Sequence, residues 1–303
     1  MTMKKSNIVW GIIGIIIIGF VLYFLMMKNG SPVAMVTPEQ STTTNAVPTY
    51  TSRPVDTTKT IIGSSVEKQD ITAYHYGTGT TELLFVGGIH GGYEWNTALV
   101  AYQLMDYLTT NPTVVPTNIK VTVIPVLNPD GLKKVIGTTD RFTASDVSAS
   151  KATIIAGRYN ANGVDLNRNF DCDWQTKGVW QQTPVSGGTA AFSEPESQAV
   201  KNYIEAHKPK AVVVWYSSAG GVYSSSCSNG ISPETKTLTS TYAKGSGYKA
   251  YDSYDFYKTT GDMVNWLAKK NIPAISVLLT THQDTEWAKN LAGIQAVLKV
   301  YAK

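Results

Sequence analysis

The chain has 303 residues, of which 43% are hydrophobic and 16% are charged, and 26 Lys and Arg against 22 Asp and Glu give a net charge of +4. No electrostatic field of that size indicates a nucleic-acid-binding protein, so we expect no nucleic-acid partner. Two cysteines exclude a disulfide-dense scaffold and a thiolate zinc finger. They leave one possible bridge, between Cys172 and Cys227, if the compartment is oxidising.

An uncharged apolar segment lies near the N-terminus, at residues 8–27. Its length suffices to cross about 30 Å of hydrocarbon as a helix, which predicts a single transmembrane span. Lys4 and Lys5 precede the segment and Lys28 follows it. The positive-inside rule then places residues 1–7 in the cytoplasm and the rest outside, so the protein would be a single-pass membrane protein. A cleaved signal peptide is the alternative.

Residues 28–59 are rich in Thr, Ser and Pro and show no apolar period, which predicts a linker. Residues 60–303 then form one domain in which apolar runs alternate with helical patterns, typical of a mostly parallel or mixed sheet covered on both faces. The predicted strands are Leu83–Val86, Val121–Val126, Ala211–Trp215 and Ala274–Leu279. The predicted helices are Glu94–Leu108, Glu194–Ala206, Glu234–Lys244, Asp262–Lys270 and Glu286–Tyr301, and Ser193 with Glu196 has the spacing of a capping box.

Polar motifs follow these strands, where ligands bind in α/β sheets. The loop after the first strand contains His90 and Glu94, which could hold a cation or could belong to an ordinary surface loop. Later come Arg158 and the segment GVDLNRNF with Asn167 and Arg168. Guanidinium and amide groups bind a terminal carboxylate, although Arg168 taken singly fits a structural salt bridge better.

Six motifs in this order resemble the zinc carboxypeptidase family, whose type member is carboxypeptidase A. They are HGGYE, NPDG, GVDLNRNF, FSEPE, the strand AVVVWYSS, and Tyr257-x-x-x-Gly261 before AISVLL. The resemblance covers residues 60–303. It implies a single α/β domain with a central mixed eight-stranded sheet, helices on both faces, a zinc cofactor and peptide C-termini as ligands.

The resemblance also assigns roles to residues of the metal half of the site. His90 and Glu94 correspond to two zinc ligands, although the family's His-x-x-Glu spacing is His-x-x-x-Glu here, so Glu94 reaches a metal only if the loop bulges. Asp165 corresponds to the aspartate that orients the ligand histidine.

The substrate half of the site is assigned in the same way. Asn167 and Arg168 correspond to the pair that holds the terminal carboxylate. Arg158, with Arg141 as the alternative, corresponds to the arginine that polarises the scissile carbonyl. Tyr257 matches the tyrosine that closes over the substrate. Val264 lies at the base of the pocket for the terminal side chain, where it favours an uncharged group.

Two positions depart from the family pattern. Tyr216 stands where the family has its third zinc-binding histidine, and Leu278 stands where it has the glutamate that acts as general base. A phenol is a much weaker zinc ligand than imidazole, and leucine transfers no proton. We therefore expect weak or lost zinc binding. His282 could substitute after a rearrangement, but it fits a loop or helix-capping residue better.

The sequence thus predicts a membrane-anchored extracytoplasmic domain that recognises peptide C-termini and is catalytically impaired or inactive. One alternative is an active zinc metallocarboxypeptidase that removes C-terminal residues from peptides, possibly cell-wall peptides. A purely structural surface module is another. Cys172 and Cys227 flank the substrate-side motifs, so a disulfide between them would clamp the two loops.

Overall fold

A computed structural model describes residues 59–302. Eight of its ten strands form one mixed sheet in the order β1-β2-β4-β3-β7-β10-β8-β9, and β5 and β6 form a separate antiparallel pair. The strands are β1 (Lys59–Ser64), β2 (Asp70–Tyr76), β3 (Thr81–Val86), β4 (Ile119–Ile124), β5 (Lys177–Trp180), β6 (Thr183–Ser186), β7 (Ala211–Ser217), β8 (Gly221–Ser224), β9 (Ala250–Tyr251) and β10 (Ala274–Leu279). The four central strands, β4, β3, β7 and β10, run parallel.

Helices cover both faces of the sheet. They are α1 (Trp95–Thr110), α2 (Pro129–Ile136), α3 (Lys151–Ala156), α4 (Pro195–His207), α5 (Pro233–Ser246), α6 (Met263–Lys269) and α7 (Trp287–Tyr301). Apolar residues of α1, α5 and α7 pack in one core, and those of α4 and α6 pack in a second core. The predicted α/β class and the mixed eight-stranded sheet are confirmed.

The central strands are apolar on both sides because each side faces a helical layer. In β3, Leu83 and Phe85 point into one core while Leu84 and Val86 point into the other. All four side chains are at most 1% exposed. Because successive side chains enter apolar cores on opposite faces of the sheet, the sequence of such a strand is a continuous run of apolar residues.

The predicted capping box at the start of α4 is wrong. Glu194 is the N-cap residue of α4, and no side chain forms a capping hydrogen bond at this end of the helix. Ser193 Oγ instead donates a hydrogen bond to Glu194 Oε1 at 2.8 Å. The carboxylate of Glu196 accepts from the Asn160 amide at 3.1 Å and from the Val66 backbone N–H at 3.2 Å, so tertiary partners have displaced the local bond.

Residues 59–302 contain no helix long and apolar enough to cross a membrane. The predicted span at residues 8–27, the cytoplasmic segment 1–7 and all but the last residue of the predicted linker 28–59 lie outside the described residues. Lys59, the last linker residue, begins β1.

A buried carboxylate links strands β3 and β4 to helix α4. Glu82 is 4% exposed, and its register partner Lys120 donates a hydrogen bond to it at 2.6 Å. Thr122 and Tyr203 donate to its other oxygen. Burial alone would raise the pKa of Glu82, but the hydrogen bonds from these three partners outweigh it and hold that pKa below its usual value.

We predict that Glu82→Gln lowers the free energy of unfolding at pH 7 by about 2 kcal/mol, because Lys120 loses its partner. A carboxyl group with a lowered folded pKa stabilises the protein above its unfolded pKa of about 4.3, and this contribution is lost as the pH falls through the folded pKa. The difference between the proteins in urea unfolding should therefore shrink below about pH 4.

Glu205→Gln is the matched control. Glu205 pairs with Lys270 at 3.1 Å on the surface, so its loss should cost less than about 1 kcal/mol. A destabilisation by Glu82→Gln that does not change between pH 7 and pH 3.5 would contradict the assignment.

Candidate active-site cavity

A cavity of about 330 Å³ opens at the carboxyl ends of the central strands. His90 enters it from the loop after β3, Tyr216 from the end of β7 and Leu278 from β10. The segment after Asp165 supplies Asn167 and Arg168. This is the edge of an α/β sheet where ligands bind, as the sequence predicts.

The longer His-to-Glu spacing is absorbed by a tight turn. Residues Gly91–Glu94 form one turn of 3-10 helix, which brings His90 Nδ1 to 2.9 Å from Glu94 Oε1. Gly91 has φ +45°, and a Cβ atom there would lie 2.7 Å from the Gly157 carbonyl oxygen. Glycine is therefore required at this point, and both predicted ligands face each other.

Asp165 holds His90 from the other side. Its Oδ1 lies 3.2 Å from His90 Nε2 and accepts the Asn167 backbone N–H at 3.0 Å. The carboxyl group is fully buried. Burial would raise its pKa, but Arg158 and His90 outweigh burial and hold the pKa of Asp165 far below its usual range. Asp165 thus occupies the orienting position predicted for it.

Arg158 lies behind the cavity wall and does not line the cavity. It donates two hydrogen bonds to Asp165 Oδ2, at 2.8 and 3.0 Å, and lies 3.8 Å from Glu94. The rings of Trp180 and Tyr93 cover its guanidinium at 4.6 and 5.5 Å. The charge of Arg158 is therefore neutralised by the carboxylates of Asp165 and Glu94. The position predicted to polarise a substrate carbonyl serves a buried ion pair in this structure.

Arg141, the alternative to Arg158, lies on the surface. It pairs with Asp106 at 2.8 Å, and its side chain is 50% exposed. It does not line the cavity.

The residues predicted to hold a carboxylate do line the cavity. Asn167 Oδ1 accepts hydrogen bonds from the Met263 backbone N–H at 3.1 Å and from the Tyr216 hydroxyl at 3.2 Å. Its amide nitrogen is consequently turned the other way and donates to no residue among 59–302. Arg168 donates from Nε and Nη2 to the Val179 carbonyl and from Nη1 to the Asn167 carbonyl. One N–H on each Nη atom remains unused.

Tyr216 and Leu278 are the two residues that depart from the family pattern, at the positions of the third zinc ligand and the general base. Tyr216 is 5% exposed, and burial raises the pKa of its phenol well above the usual value, so the group is neutral and acts as a hydrogen-bond donor. Leu278 is its register partner on β10 and presents methyl groups to the cavity. Neither side chain supplies a metal ligand or a base at neutral pH.

The residues present fit half of a zinc site. Both ring nitrogens of His90 and Glu94 Oε2 are buried without a well-aligned hydrogen bond, as ligand atoms would be. A catalytic zinc needs three protein ligands and an open position. Among residues 59–302, no group of three or more His, Cys, Asp or Glu side chains is arranged to hold a metal ion. The complete zinc site of the family is therefore not assembled by these side chains.

His282 lies in the loop between β10 and α7, as the sequence predicts, and it also lines the cavity. The Asn96 amide nitrogen donates to two carbonyls, so its Oδ1 accepts the Ser217 hydroxyl at 3.0 Å. Ser217 Oγ must then accept from His282 Nδ1, at 2.8 Å. Burial lowers the pKa of His282, so the ring is neutral at pH 7 and its Nε2 is an acceptor. Sequence spacing gives no sign of this relay.

Tyr257 and Val264 also lie where the sequence predicts, on the cavity wall. Arg168 faces the Tyr257 ring at 5.9 Å. Sequence analysis missed Asp262, a buried carboxylate in the same wall. Its position between Gly261 of the tyrosine motif and Val264 is the signal that could have identified it.

A disulfide joins Cys172 to Cys227, with their Cα atoms 6.2 Å apart. Both cysteines line the cavity. The bridge ties the segment after Arg168 to the segment after β8, as the sequence predicts.

The fold and these motifs define a carboxypeptidase-like α/β domain, and comparisons with known proteins agree. A model of the zinc carboxypeptidase family matches residues 49–294. The chain belongs to that family.

The curated relatives include the gamma-D-glutamyl-L-diamino acid endopeptidase 1 of Lysinibacillus sphaericus, 28% identical over 65% of this chain and 54% of that protein. The carboxypeptidase O of Bos taurus is 33% identical over 52% of this chain and 44% of that protein. The chain spans about half the length of these relatives.

Among solved structures, the murein-tripeptide amidase of Escherichia coli covers 80% of this chain and 91% of its own, with a TM-score of 0.55 and 19% identity. That likeness shows the fold.

We predict that Arg158→Met lowers the free energy of unfolding by about 3–5 kcal/mol, because Asp165 and Glu94 would be left buried without their cation. Urea unfolding at pH 7 measures the loss. Arg141→Met is the matched control, since it breaks an exposed pair and should cost less than about 1 kcal/mol. Equal effects of the two substitutions would refute the assigned role of Arg158.

Proposed function

We propose that the domain binds peptides by their free C-terminal carboxylate and does not cleave them efficiently. The observation that carries this proposal is the pair of unused donors in the cavity wall. Asn167 and Arg168 both line the cavity, and the Asn167 amide nitrogen and one N–H on each Nη atom of Arg168 donate to no residue among 59–302.

These donors match the chemistry of a carboxylate. A carboxylate accepts several hydrogen bonds, and bonds from a guanidinium are charge-assisted and among the strongest in proteins. The Tyr216 hydroxyl fixes the Asn167 amide so that its nitrogen is free for the ligand. The ligand-binding half of the site is therefore organised before a ligand arrives.

The hydrolytic half lacks its proton-transfer group. General acid–base catalysis contributes about 10²–10⁴-fold to the rate of such reactions, and Leu278 contributes none of it. The neutral phenol of Tyr216 adds a second obstacle, because the metal half is left with two ligand side chains. We infer that zinc binding is weak or lost and that peptide hydrolysis is impaired.

Two relatives bear on the class of peptide. One is named for gamma-D-glutamyl-L-diamino acid bonds and another for murein tripeptide. We therefore propose cell-wall peptides as the ligand class for this chain.

The predicted span at residues 8–27 would hold the domain on the outer side of the membrane, where such peptides are found. The Cys172–Cys227 disulfide is compatible with that oxidising compartment. This placement is part of the proposal.

The second candidate function is an active carboxypeptidase. His282 favours it, because its Nε2 acceptor lies in the same cavity as His90 and Glu94. This candidate requires a rearrangement in which His282 serves as the third metal ligand or as the general base, in place of the side chains missing at Tyr216 and Leu278.

The binding proposal predicts that the full-length chain discriminates between a peptide acid and the same peptide with a C-terminal amide. The amide should bind at least about tenfold more weakly, because it has lost the charge that Arg168 recognises. Arg168→Ala should weaken binding of the acid by a similar factor. Isothermal titration calorimetry measures both.

Arg168→Ala also removes the hydrogen bond to the Val179 carbonyl, so this variant could lose affinity through a change in structure. The comparison of acid and amide peptides uses the wild-type chain and avoids that ambiguity. Lys269→Ala is the matched charge control, since Lys269 is exposed and pairs with Asp171. If acid and amide bind equally well to the wild-type chain, the proposed carboxylate site is wrong.

A second prediction concerns metal content. The purified wild-type chain should retain well under one zinc ion after dialysis and release no C-terminal residues from a peptide pool. Tyr216→His with Leu278→Glu should raise zinc affinity at least about tenfold by supplying the third ligand.

Tyr216→Phe with Leu278→Glu is the control, because it adds the carboxylate without the ligand. Stoichiometric zinc in the wild-type chain, with peptide release abolished by a chelator, would favour the active enzyme instead.

A further inference from the structure

A chain of hydrogen bonds ends at the imidazole of His282, and the direction of each bond is fixed. The Asn96 amide nitrogen donates to the backbone carbonyls of Thr281 at 2.7 Å and Asp284 at 2.9 Å. Both amide hydrogens are thereby used, so Asn96 Oδ1 accepts the Ser217 hydroxyl at 3.0 Å. Ser217 Oγ then accepts the ring proton from His282 Nδ1 at 2.8 Å. The two carbonyls, which can only accept, thus set the polarity of the whole relay.

The relay decides which nitrogen of His282 carries the proton. Burial is the main cause of the lowered pKa of His282, so at pH 7 the ring is neutral and has one proton. That proton lies on Nδ1, toward Ser217, which leaves a lone pair on Nε2. Nε2 has no hydrogen-bond partner among residues 59–302, and solvent reaches it. His282 therefore offers an acceptor that the fold does not use.

Aromatic packing holds this ring in the cavity that Asn167 and Arg168 also line. The imidazole packs on the Tyr93 ring with centroids 4.8 Å apart, and Tyr93 packs on Trp180 at 4.9 Å. Both aromatic residues line the cavity as well. The tautomer and the position of the ring are thus set before a ligand binds, which lowers the conformational cost of using Nε2 in a complex.

The cavity consequently offers hydrogen-bonding groups of both kinds. Asn167 and Arg168 supply unused donors, which suit a carboxylate, whereas Nε2 of His282 can only accept. A ligand must present an N–H or O–H group at Nε2. A peptide held by its terminal carboxylate has a backbone N–H on every residue except proline. Such a group loses water when it enters a cavity, and an acceptor is then required to offset that cost.

We propose that His282 Nε2 accepts a hydrogen bond from a backbone N–H of the bound peptide. Ser217 and Asn96 are positioning residues, which keep Nε2 unprotonated. The site then recognises a carboxylate together with an amide N–H that precedes it in the ligand, so it distinguishes a peptide from a simple carboxylic acid. This role uses His282 in its observed position and requires no rearrangement. The inference rests on the proposed function.

The test uses the full-length chain and the free acid Ac-Ala-Ala-Ala-Ala, titrated by calorimetry. Alanine side chains have no donor, so only a backbone N–H can bond to His282. Four further peptides each have one backbone amide replaced by an ester, which removes one N–H and keeps the length of the chain. We expect one of these esters to bind about fivefold more weakly than the parent peptide, the effect of one lost hydrogen bond.

A variant of His282 shows whether this residue is the acceptor. His282→Phe retains a ring against Tyr93 and removes the lone pair. The parent peptide should bind this variant about fivefold more weakly, and the penalty of the sensitive ester should disappear. His207→Phe is the matched control, because His207 is exposed at the end of α4 and does not line the cavity. The ester penalty should persist in that control.

The positioning role of Ser217 has a spectroscopic test. Long-range ¹H–¹⁵N spectra of the histidine rings distinguish the two neutral tautomers, and the signals of His282 are those missing from His282→Phe. In the wild-type chain at pH 7 the proton should lie on Nδ1. Ser217→Ala should populate the tautomer with the proton on Nε2 and reduce the ester penalty. A wild-type ring with its proton on Nε2 would overturn the inference.

The peptide titrations separate this inference from the proposed function. If free acids bind better than amides but no ester is penalised, the inference alone is wrong. The same conclusion follows if the ester penalty survives in His282→Phe. Equal binding of acids and amides, or failure of every peptide to bind, would overturn the carboxylate site and this inference with it.

Discussion

The carboxylate of Asp165 connects both halves of the cavity. It touches the imidazole of His90, it receives two hydrogen bonds from Arg158, and it accepts the backbone N–H of Asn167. These partners come from different motifs of the sequence. A fully buried carboxylate is tolerated when cations and donors surround it, so each partner is held in place by the cost of leaving the charge unpaired. The positions of His90 and Asn167 therefore depend on one another.

The replacement at Tyr216 changes what the end of β7 contributes to the site. Its hydroxyl supports Asn167 from the protein side and leaves the Asn167 amide nitrogen directed at the cavity. The tyrosine at the third-ligand position thus fixes the side chain of Asn167, one of the two residues of the proposed carboxylate site. Leu278, its register partner on β10, adds an apolar side chain to the cavity lining. The two departures from the family pattern are neighbours in the sheet, because Tyr216 and Leu278 are register partners on β7 and β10.

The sequence predicts the fold well where local pattern and burial agree. Ala274–Leu279 has the same bounds in prediction and structure, because a short apolar run between polar residues has few alternatives. Long-range partners are where prediction fails. Ser193 and Glu196 have capping-box spacing, but Ser193 bonds to the neighbouring Glu194 side chain and Glu196 bonds to the distant Asn160. Motif spacing identifies which residues surround a site, whereas their hydrogen-bond partners follow from packing.

The disulfide between Cys172 and Cys227 closes a covalent ring that contains the β5–β6 pair, α4, β7 and β8. For a ring of this length the chain-entropy model gives a stabilisation of about 4 kcal/mol, through restriction of the unfolded chain. The bridge has a second effect on ligand capture. Both cysteines line the cavity, so the bridge already restrains this part of the lining in the free protein. Binding of the proposed peptide ligand would then cost the protein less conformational freedom.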